Sequence, residues 1–558
     1  MVNFIRDFTK KIKIAHVVII WLAVNLISAF FSQLYSDEAY YTLFSHQLAF
    51  GYFDHPPMIA LMIRIGSFIF KNELGVRLLS VIAVSTALFI TYRLSEIHKP
   101  VLFLAAIFSL FGLNILGFLA LPDSPLLLFT VLFFLIYKRF LLKESLLNSI
   151  LLGLTMVAML YSKYHGILII FFTVISNLRL LRSKMFWVAA ILGFLLFIPH
   201  LVWQYNNDFV SISYHFFERS ASHYKFSFTH EYLLGQILYY GPFSAIFMFF
   251  AAIKYKQSNL FDKALIWNLW GILSFFLLSS LKGRVEVNWT LPIIIPLLIF
   301  FLRYSISKPV FIRWFYIFAI PIFIIISLMR IEIAYPVINL KVDRLNDFRG
   351  QIEFGNEVIK KSKGLPVIAN SYQKAGLLSF YTNAFVPSIN VNSRRNQFNI
   401  WHACDSLRFK KVAFVNNYLV SGVKIENPLY SDYQVTFIDS LPVMNDIVIT
   451  TGMRKLSVNQ NEKIEINVIL KSTKTPDNYR DAGDFFTRLN AGLYQGDNLL
   501  TEKICEVPID VIFKNKNGEC NFQFEAPAEK GEYQISIYLK TSGLGIWNTK
   551  KTISLTVI

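Results

Sequence analysis

The stretch IKIAHVVIIWLAVNLISAFFSQLYSDEAYY, residues 12–41, decides the class of this fold. Its first twenty residues form an apolar run, and about 20 such residues suffice for a helix to cross the hydrocarbon core of a bilayer. No small-residue cleavage site precedes Tyr35, so the run reads as a retained first helix and not as a removable signal. Directly after it come the adjacent carboxylates Asp37 and Glu38, set among Tyr35, Tyr40 and Tyr41. Acids beside hydrocarbon cost solvation free energy, so their place at a membrane edge is a functional hypothesis by default.

The same apolar pattern recurs along the next three hundred residues. Eleven spans are expected, at about 12–32, 75–94, 101–120, 125–142, 146–161, 164–178, 185–203, 233–253, 264–281, 289–303 and 311–329. With 54% hydrophobic and 16% aromatic residues, the chain is more apolar than an ordinary soluble protein. The formal charge of +18 fits basic cytoplasmic loops better than nucleic acid, for which no recognition motif is present. Eighteen Lys and Arg fall in the short loops of one side and eight on the other. The positive-inside rule therefore predicts a cytoplasmic N-terminus and an extracytoplasmic tail in a multi-pass membrane protein. The acids Asp37, Glu38, Asp54, Glu73, Asp123, Asp208, Glu218, Glu231 and Glu286 sort to the outer side, with His46, His55, His165, His215, His223 and His230.

The chain divides into a membrane domain over 1–332, with a long first outer loop over 33–74, and a soluble tail. Within that loop, residues 57–70 are apolar but too short to span, and a helix lying along the interface is expected. Helix and strand signals alternate over 335–450, predicting a small α/β domain, with a helix at 348–361, a strand at 366–370, a segment at 374–381 and a strand at 411–415. Alternating apolar residues at 463–469 and 532–538 predict a β-sandwich over 451–558. The fold class is thus a polytopic α-helical membrane protein with about eleven transmembrane helices, an extracytoplasmic α/β domain and a β-sandwich. Cys505 and Cys520 lie in neighbouring strand-like segments and could pair in an oxidising compartment; buried thiols are the alternative.

Five groups could carry chemistry. Asp37 or Glu38 could accept a proton from an attacking hydroxyl; alternatively, Asp37 caps a helix beginning at Ala39. In Asp54-His55-Pro56-Pro57, His55 could donate to a phosphate oxygen, or the motif is a rigid turn. Asp123, in Pro122-Asp123-Ser124-Pro125, is a second acid or a cap. Arg77, Lys163, Arg219, Lys282 and Arg284 run against the positive-inside trend and could hold a phosphate, or pair with nearby acids. Aromatic rings in Pro199-His200-Leu201-Val202-Trp203-Gln204-Tyr205, in Tyr214-His215-Phe216-Phe217-Glu218-Arg219 and in Val287-Asn288-Trp289-Thr290-Leu291-Pro292 suit a sugar or form an interfacial belt. No P-loop, GxGxxG or HExxH motif occurs, so no cofactor is expected; a divalent metal is possible but no ligand spacing indicates one.

The combination Asp37-Glu38-Ala39-Tyr40-Tyr41, Tyr52-Phe53-Asp54-His55-Pro56-Pro57, Gly75-Val76-Arg77-Leu78, Pro122-Asp123-Ser124-Pro125 and Lys163-Tyr164-His165-Gly166 resembles the polytopic GT-C glycosyltransferases. It is similar to the family 83 branch, the bacterial relatives of protein O-mannosyltransferases and lipid A aminoarabinose transferases. The resemblance covers residues 10–330. It implies a polyprenyl-phosphate sugar donor, of the undecaprenyl type, and inverting, metal-independent transfer at the extracytoplasmic face to a glycolipid or protein hydroxyl. Asp37 matches the family's catalytic base and Asp123 its second acid. His55 stands where aminoarabinose transferases carry a phosphate-binding lysine, a departure that leaves a donor of different basicity. Tyr40, Tyr41, Asp54, Arg77, Lys163, Tyr164, His215, Arg219 and Arg284 complete the expected substrate site. The alternative function is a transporter or flippase of lipid-linked sugar, which would place its ionisable groups near mid-membrane.

Overall fold

In the computed structural model the described residues are 12–215, 219, 224–335, 337, 346–419, 421–496, 498–516 and 518–558, without the side chains of 515, 516, 548 and 549. Glu218 and His223, with Phe216 and Phe217, lie outside them. The chain forms two units, Met1–Arg349 and Gly350–Ile558.

The first unit is helical. The opening run becomes α1 (Ile14–Phe31), and the acidic stretch becomes α2 (Ser36–His46). The short apolar segment of the first loop is α3 (Met58–Ile69), begun after Pro57, and α4 (Glu73–Ser95) returns across the bundle. Helices α3 and α4 meet at Gly66 and Gly75, where a Cβ on Gly66 would lie 2.1 Å from the carbonyl oxygen of Gly75. Only glycine permits that approach.

The third expected span is broken into α5 (Pro100–Ser109) and α6 (Phe111–Leu116). Asn114 supports the break, its Nδ2 donating to the carbonyls of Ile107 at 3.0 Å and Leu110 at 2.8 Å. There follow α7 (Asp123–Leu142), α8 (Leu146–Ser162), α9 (Gly166–Ser176), α10 (Lys184–Asn206) and the short α11 (Val210–Ser213). Then come α12 (Phe226–Tyr239), α13 (Ser244–Lys254), α14 (Leu260–Ser279), α15 (Ile294–Ser305, preceded by the 3-10 turn Val287–Ile293) and α16 (Pro309–Ala334).

All eleven expected runs are at least partly helical, but they are not eleven equal spans. Among the described residues seven helices are long and apolar enough to cross, or eight if α12 and α13, bent by 96°, count as one. The eleven residues of α9 reach only about 16 Å. The fold is therefore a polytopic helical membrane region with seven or eight full-length spans, fewer than composition suggests. One continuous apolar core runs from Val17 on α1 to Ala319 on α16.

The second unit begins with α17 (Gln351–Lys361), β1 (Val367–Ala369) and α18 (Tyr372–Thr382), close to the expected elements. Strands β2 (Val412–Asn416), β3 (Val423–Lys424) and β4 (Gln434–Ile438) complete a mixed sheet in the order β1-β2-β4-β3, with only β1 and β2 parallel. The rest forms two further sheets. Strand β5 (Val448–Thr451) joins β7 (Lys463–Lys471) and β10 (Glu519–Glu525). The five-stranded sheet has the order β6-β12-β11-β8-β9, built from Lys455–Val458, Gly545–Val557, Gly531–Thr541, Thr487–Gln495 and Asn498–Cys505. In β7 buried and exposed residues alternate, as a strand with one face on the core requires. One core extends from Ile368 to Val557, so the α/β part and the sandwich are fused through shared packing. Cys505 ends β9 and Cys520 lies in β10, in different sheets.

Candidate active site

The two adjacent acids separate at once. Helix α2 starts at Ser36, three residues before the expected start, so Asp37 is not its cap. The capping carboxylate is Glu38, which accepts the backbone N–H of Tyr35 at 3.0 Å. Glu38 is fully buried and also accepts Arg77 Nε at 2.8 Å, Arg77 Nη2 at 2.6 Å and the N–H of Ala120 at 2.7 Å. Both oxygens thus receive two donors, the practical capacity of a carboxylate.

Arg77 is equally occupied. Nη1 donates to the carbonyls of Ala29 at 3.1 Å and Ser32 at 2.7 Å, and Nη2 donates to the carbonyl of Gln33 at 2.8 Å. Its guanidinium packs 5.5 Å from the centre of the Phe118 ring. This geometry corrects the sequence expectation for both residues. Glu38 has no vacant acceptor position for a proton, and Arg77 has no exposed fork for a phosphate. Together they tie α1, α2, α4 and the turn before α7 into one joint. Asp37, one residue earlier, is about 100° round the helix from Glu38 and only partly buried.

One turn along α2, the Tyr41 ring contacts the His55 ring at 5.4 Å. Tyr40 is buried among Tyr41 and Phe44. Tyr52 fixes the loop between α2 and α3: its ring stacks on Phe44 at 4.2 Å and its hydroxyl donates to the Phe44 carbonyl at 2.9 Å. Asp54 is buried, and its carbonyl lies 3.0 Å from His215 Nε2. Burial chiefly lowers the proton affinity of His215; Arg219 and Lys163 add to this, while Asp54 opposes it.

The second acid is also not a cap. Asp123 sits in the first turn of α7 and accepts Lys163 Nζ at 2.8 and 3.0 Å on its two oxygens. Asn288 Nδ2 adds a third bond at 3.0 Å. Lys163, in the α8–α9 break, thus meets Asp123, with both side chains almost wholly buried. Beside it, Arg219 donates to Glu286 at 2.9 Å and lies over the Trp289 ring at 4.5 Å. Arg284 is mostly exposed, 3.9 Å from Glu286 and 4.0 Å from Glu231. His165 contacts Trp289 at 4.9 Å.

Sequence reasoning grouped His200 and Gln204 with an aromatic belt and did not single out Ser211. They form a buried polar chain instead. Tyr164 Oη lies 3.2 Å from His200 Nε2 and accepts Gln204 Nε2 at 2.9 Å. Gln204 reaches Ser211 Oγ at 2.7 Å, Ser211 donates to the Tyr52 carbonyl at 3.0 Å, and His200 Nδ1 meets the Phe50 carbonyl at 2.7 Å. The i, i+4 spacing of His200 and Gln204 on α10 was the available signal. Among the described residues no group of three His, Cys, Asp or Glu is placed to hold a metal ion.

Residues 54–203 match the family model described as dolichyl-phosphate-mannose-protein mannosyltransferase. The fold matches the crystal structure of ArnT from Cupriavidus metallidurans in the apo state, with a TM-score of 0.53 at 11% identity over 76% of this chain and 97% of that one. The same protein bound to undecaprenyl phosphate gives a TM-score of 0.52 at 12% identity, over the same shares. No curated protein sequence matches. The fold of the membrane region is thus similar to that of ArnT. Within this helical bundle, the segment matching the family model holds Asp54, His55, Arg77, Asp123, Lys163 and Tyr164. Asp37 precedes it, and His215, Arg219 and Arg284 follow it.

Proposed function

We propose that this protein transfers a sugar from a polyprenyl phosphate to a hydroxyl of a glycolipid or protein, at the extracytoplasmic face of a bacterial inner membrane. The observation that carries the reading is the convergence of the first loop, the α8–α9 break and the segments before α12 and α15. These bring acids and cations to one end of the bundle. A transporter would need such groups along a path through the membrane.

Asp37 takes the role of general base, since the four donors on Glu38 exclude its neighbour. The base removes the proton of the acceptor hydroxyl as that oxygen attacks the anomeric carbon. The bond from that carbon to the phosphate oxygen breaks, and the electron pair leaves with the lipid phosphate. Attack from the face opposite the leaving group inverts the anomeric centre. Positive charge at Lys163 and Arg219, with a hydrogen bond from His55, stabilises the departing phosphate, which is a large electrostatic contribution in a water-poor site. An ammonium has three N–H donors, and Asp123 takes at most two from Lys163. Arg284, on the rim, would act by long-range attraction. Tyr164 and Trp289 stand near these groups, and theirs are the rings assigned to sugar contact.

The test is sugar transfer from a labelled polyprenyl-phosphate donor by the purified protein in detergent. Asp37→Asn should reduce turnover by about 10²–10⁴-fold with unchanged donor binding. Wild-type turnover in Asp37→Asn would refute the assignment of the base. Donor movement without any transfer would favour the transport reading.

A further inference from the structure

At the end of the bundle opposite these carboxylates lies a cavity of about 830 Å³, and nothing in the reaction above uses it. Its walls are the start of α1, the end of α4, the start of α5 and the first turns of α16. Helix α1 has 18 residues, so its two ends are about 27 Å apart. The cavity borders Lys13 at one end of that helix, whereas Asp37 follows the other end. It is therefore a separate site.

The charge of the cavity is unbalanced. Lys13, Arg93 and Lys99 line it, and the single carboxylate there is Glu96. That carboxylate is already neutralised by Lys138 at 2.5 Å and Arg303 at 3.5 Å. Among the described residues, no carboxylate lies within ion-pair distance of Lys13, Arg93 or Lys99. The last carbonyls of α4 are held by Arg303, which donates to Leu94 at 3.1 Å and Ser95 at 3.0 Å. The three cations thus line the cavity with no described carboxylate to pair them. Part of its wall is apolar, formed by Ile14, Leu102, Ile312 and Tyr316. Beside it, Ile19 on α1 and Val310 on α16 are 61% and 67% exposed, on surfaces that in a membrane protein meet lipid.

We propose that this cavity binds an anionic phospholipid, with the phosphate among Lys13, Arg93 and Lys99 and an acyl chain along the apolar wall. Basic pockets between membrane helices recognise headgroups in this way. A free phosphate would satisfy the cations but leave the apolar wall unused. A neutral lipid would cover the wall but leave the cations unpaired. The proposal does not rest on the transfer reaction.

The experiment is native mass spectrometry of the full chain in detergent, titrated with phosphatidylglycerol or with phosphatidylcholine of the same acyl chains. Wild type should retain phosphatidylglycerol at least tenfold better. The Lys13→Gln, Arg93→Gln, Lys99→Gln triple variant should bind both lipids alike, while Lys13→Arg, Arg93→Lys, Lys99→Arg keeps the preference and controls for folding. Sugar transfer in detergent should be the same in all three proteins. Equal retention of the two lipids by wild type would overturn the proposal, as would an undiminished preference in the glutamine variant. Displacement of the lipid by an equal concentration of glycerol phosphate would also overturn it, by showing a site for the phosphate alone.

Discussion

Arg77→Met should destabilise the membrane unit without weakening donor binding. The substitution deletes both bonds to Glu38 and leaves three main-chain carbonyls, those of Ala29, Ser32 and Gln33, without their donor. It also strands a carboxylate with no solvent exposure on two backbone N–H groups. Removing one partner of a buried ion pair costs about 3–5 kcal/mol. At roughly 2–4 °C per kcal/mol for a domain of 150–250 residues, the larger size here points to the lower slope and a fall of about 6–10 °C. Thermal unfolding in detergent can be followed by the emission of the nine tryptophans. Combining Arg77→Met with Glu38→Leu removes both charges, and the double variant should be less damaged than the sum of the singles by about 1–3 kcal/mol. Enzyme that remains folded should keep its KM for the donor. A variant with the wild-type unfolding midpoint and a raised donor KM would refute the reasoning, because Arg77 would then be holding phosphate.

Other perturbations separate chemistry from scaffold in different ways. Lys163→Met should raise the donor KM and also lower the unfolding midpoint, since it leaves Asp123 buried with Asn288 as its remaining described side-chain partner; comparison with Asp123→Asn, Lys163→Met by the same two measurements apportions the effects. Gly66→Ala should cost about 1–3 kcal/mol by pushing α3 from α4, measured as a lower unfolding midpoint, since its Cβ would sit 2.1 Å from a main-chain oxygen that cannot rotate away. His215 is held below the ordinary histidine value by burial first, so the unfolded chain binds its proton more readily. Its contribution to stability is complete above about pH 6.5 and is lost as pH falls from there toward the depressed native value; His215→Gln should flatten that part of the stability–pH curve.

The membrane class, the outer-loop motifs and most soluble elements were legible because they rest on local patterns. Apolar length gave α1, α4, α7, α10 and α16, and period-two alternation gave β7 and β11. What the sequence did not show were pairings over long separations. Glu38 and Arg77 are 39 residues apart, and a lone arginine on the outer side reads equally well as a phosphate ligand or a structural partner. Only the positions of Ala120 and Ser32 around the pair decide between these. Apolar composition does not give helix length: seven or eight of the expected runs reach full span length among the described residues, and the others form shorter apolar helices. Asn114 illustrates the difference, since its side chain stabilises a break within a run that is otherwise apolar throughout.

The separation of Asp37 from Glu38 follows from helix geometry. Successive residues of an α-helix project about 100° apart, so two adjacent acids cannot share one environment. Glu38 falls at the third helical position, where its oxygen can reach back to the cap N–H, and that face of α2 is turned into the joint with α1 and α4. Once Glu38 is anchored there, the rotation of α2 about its axis is fixed, and so is the direction in which Asp37 projects. The ion pair therefore orients the proposed base. Glu38→Gln tests this directly: it keeps the size of the side chain but offers an amide N–H₂ group to one of its present donors. The expected result is a loss of turnover intermediate between wild type and Asp37→Asn, accompanied by a lower unfolding midpoint. Loss as complete as in Asp37→Asn at an unchanged midpoint would instead give Glu38 a direct part in the proton transfer.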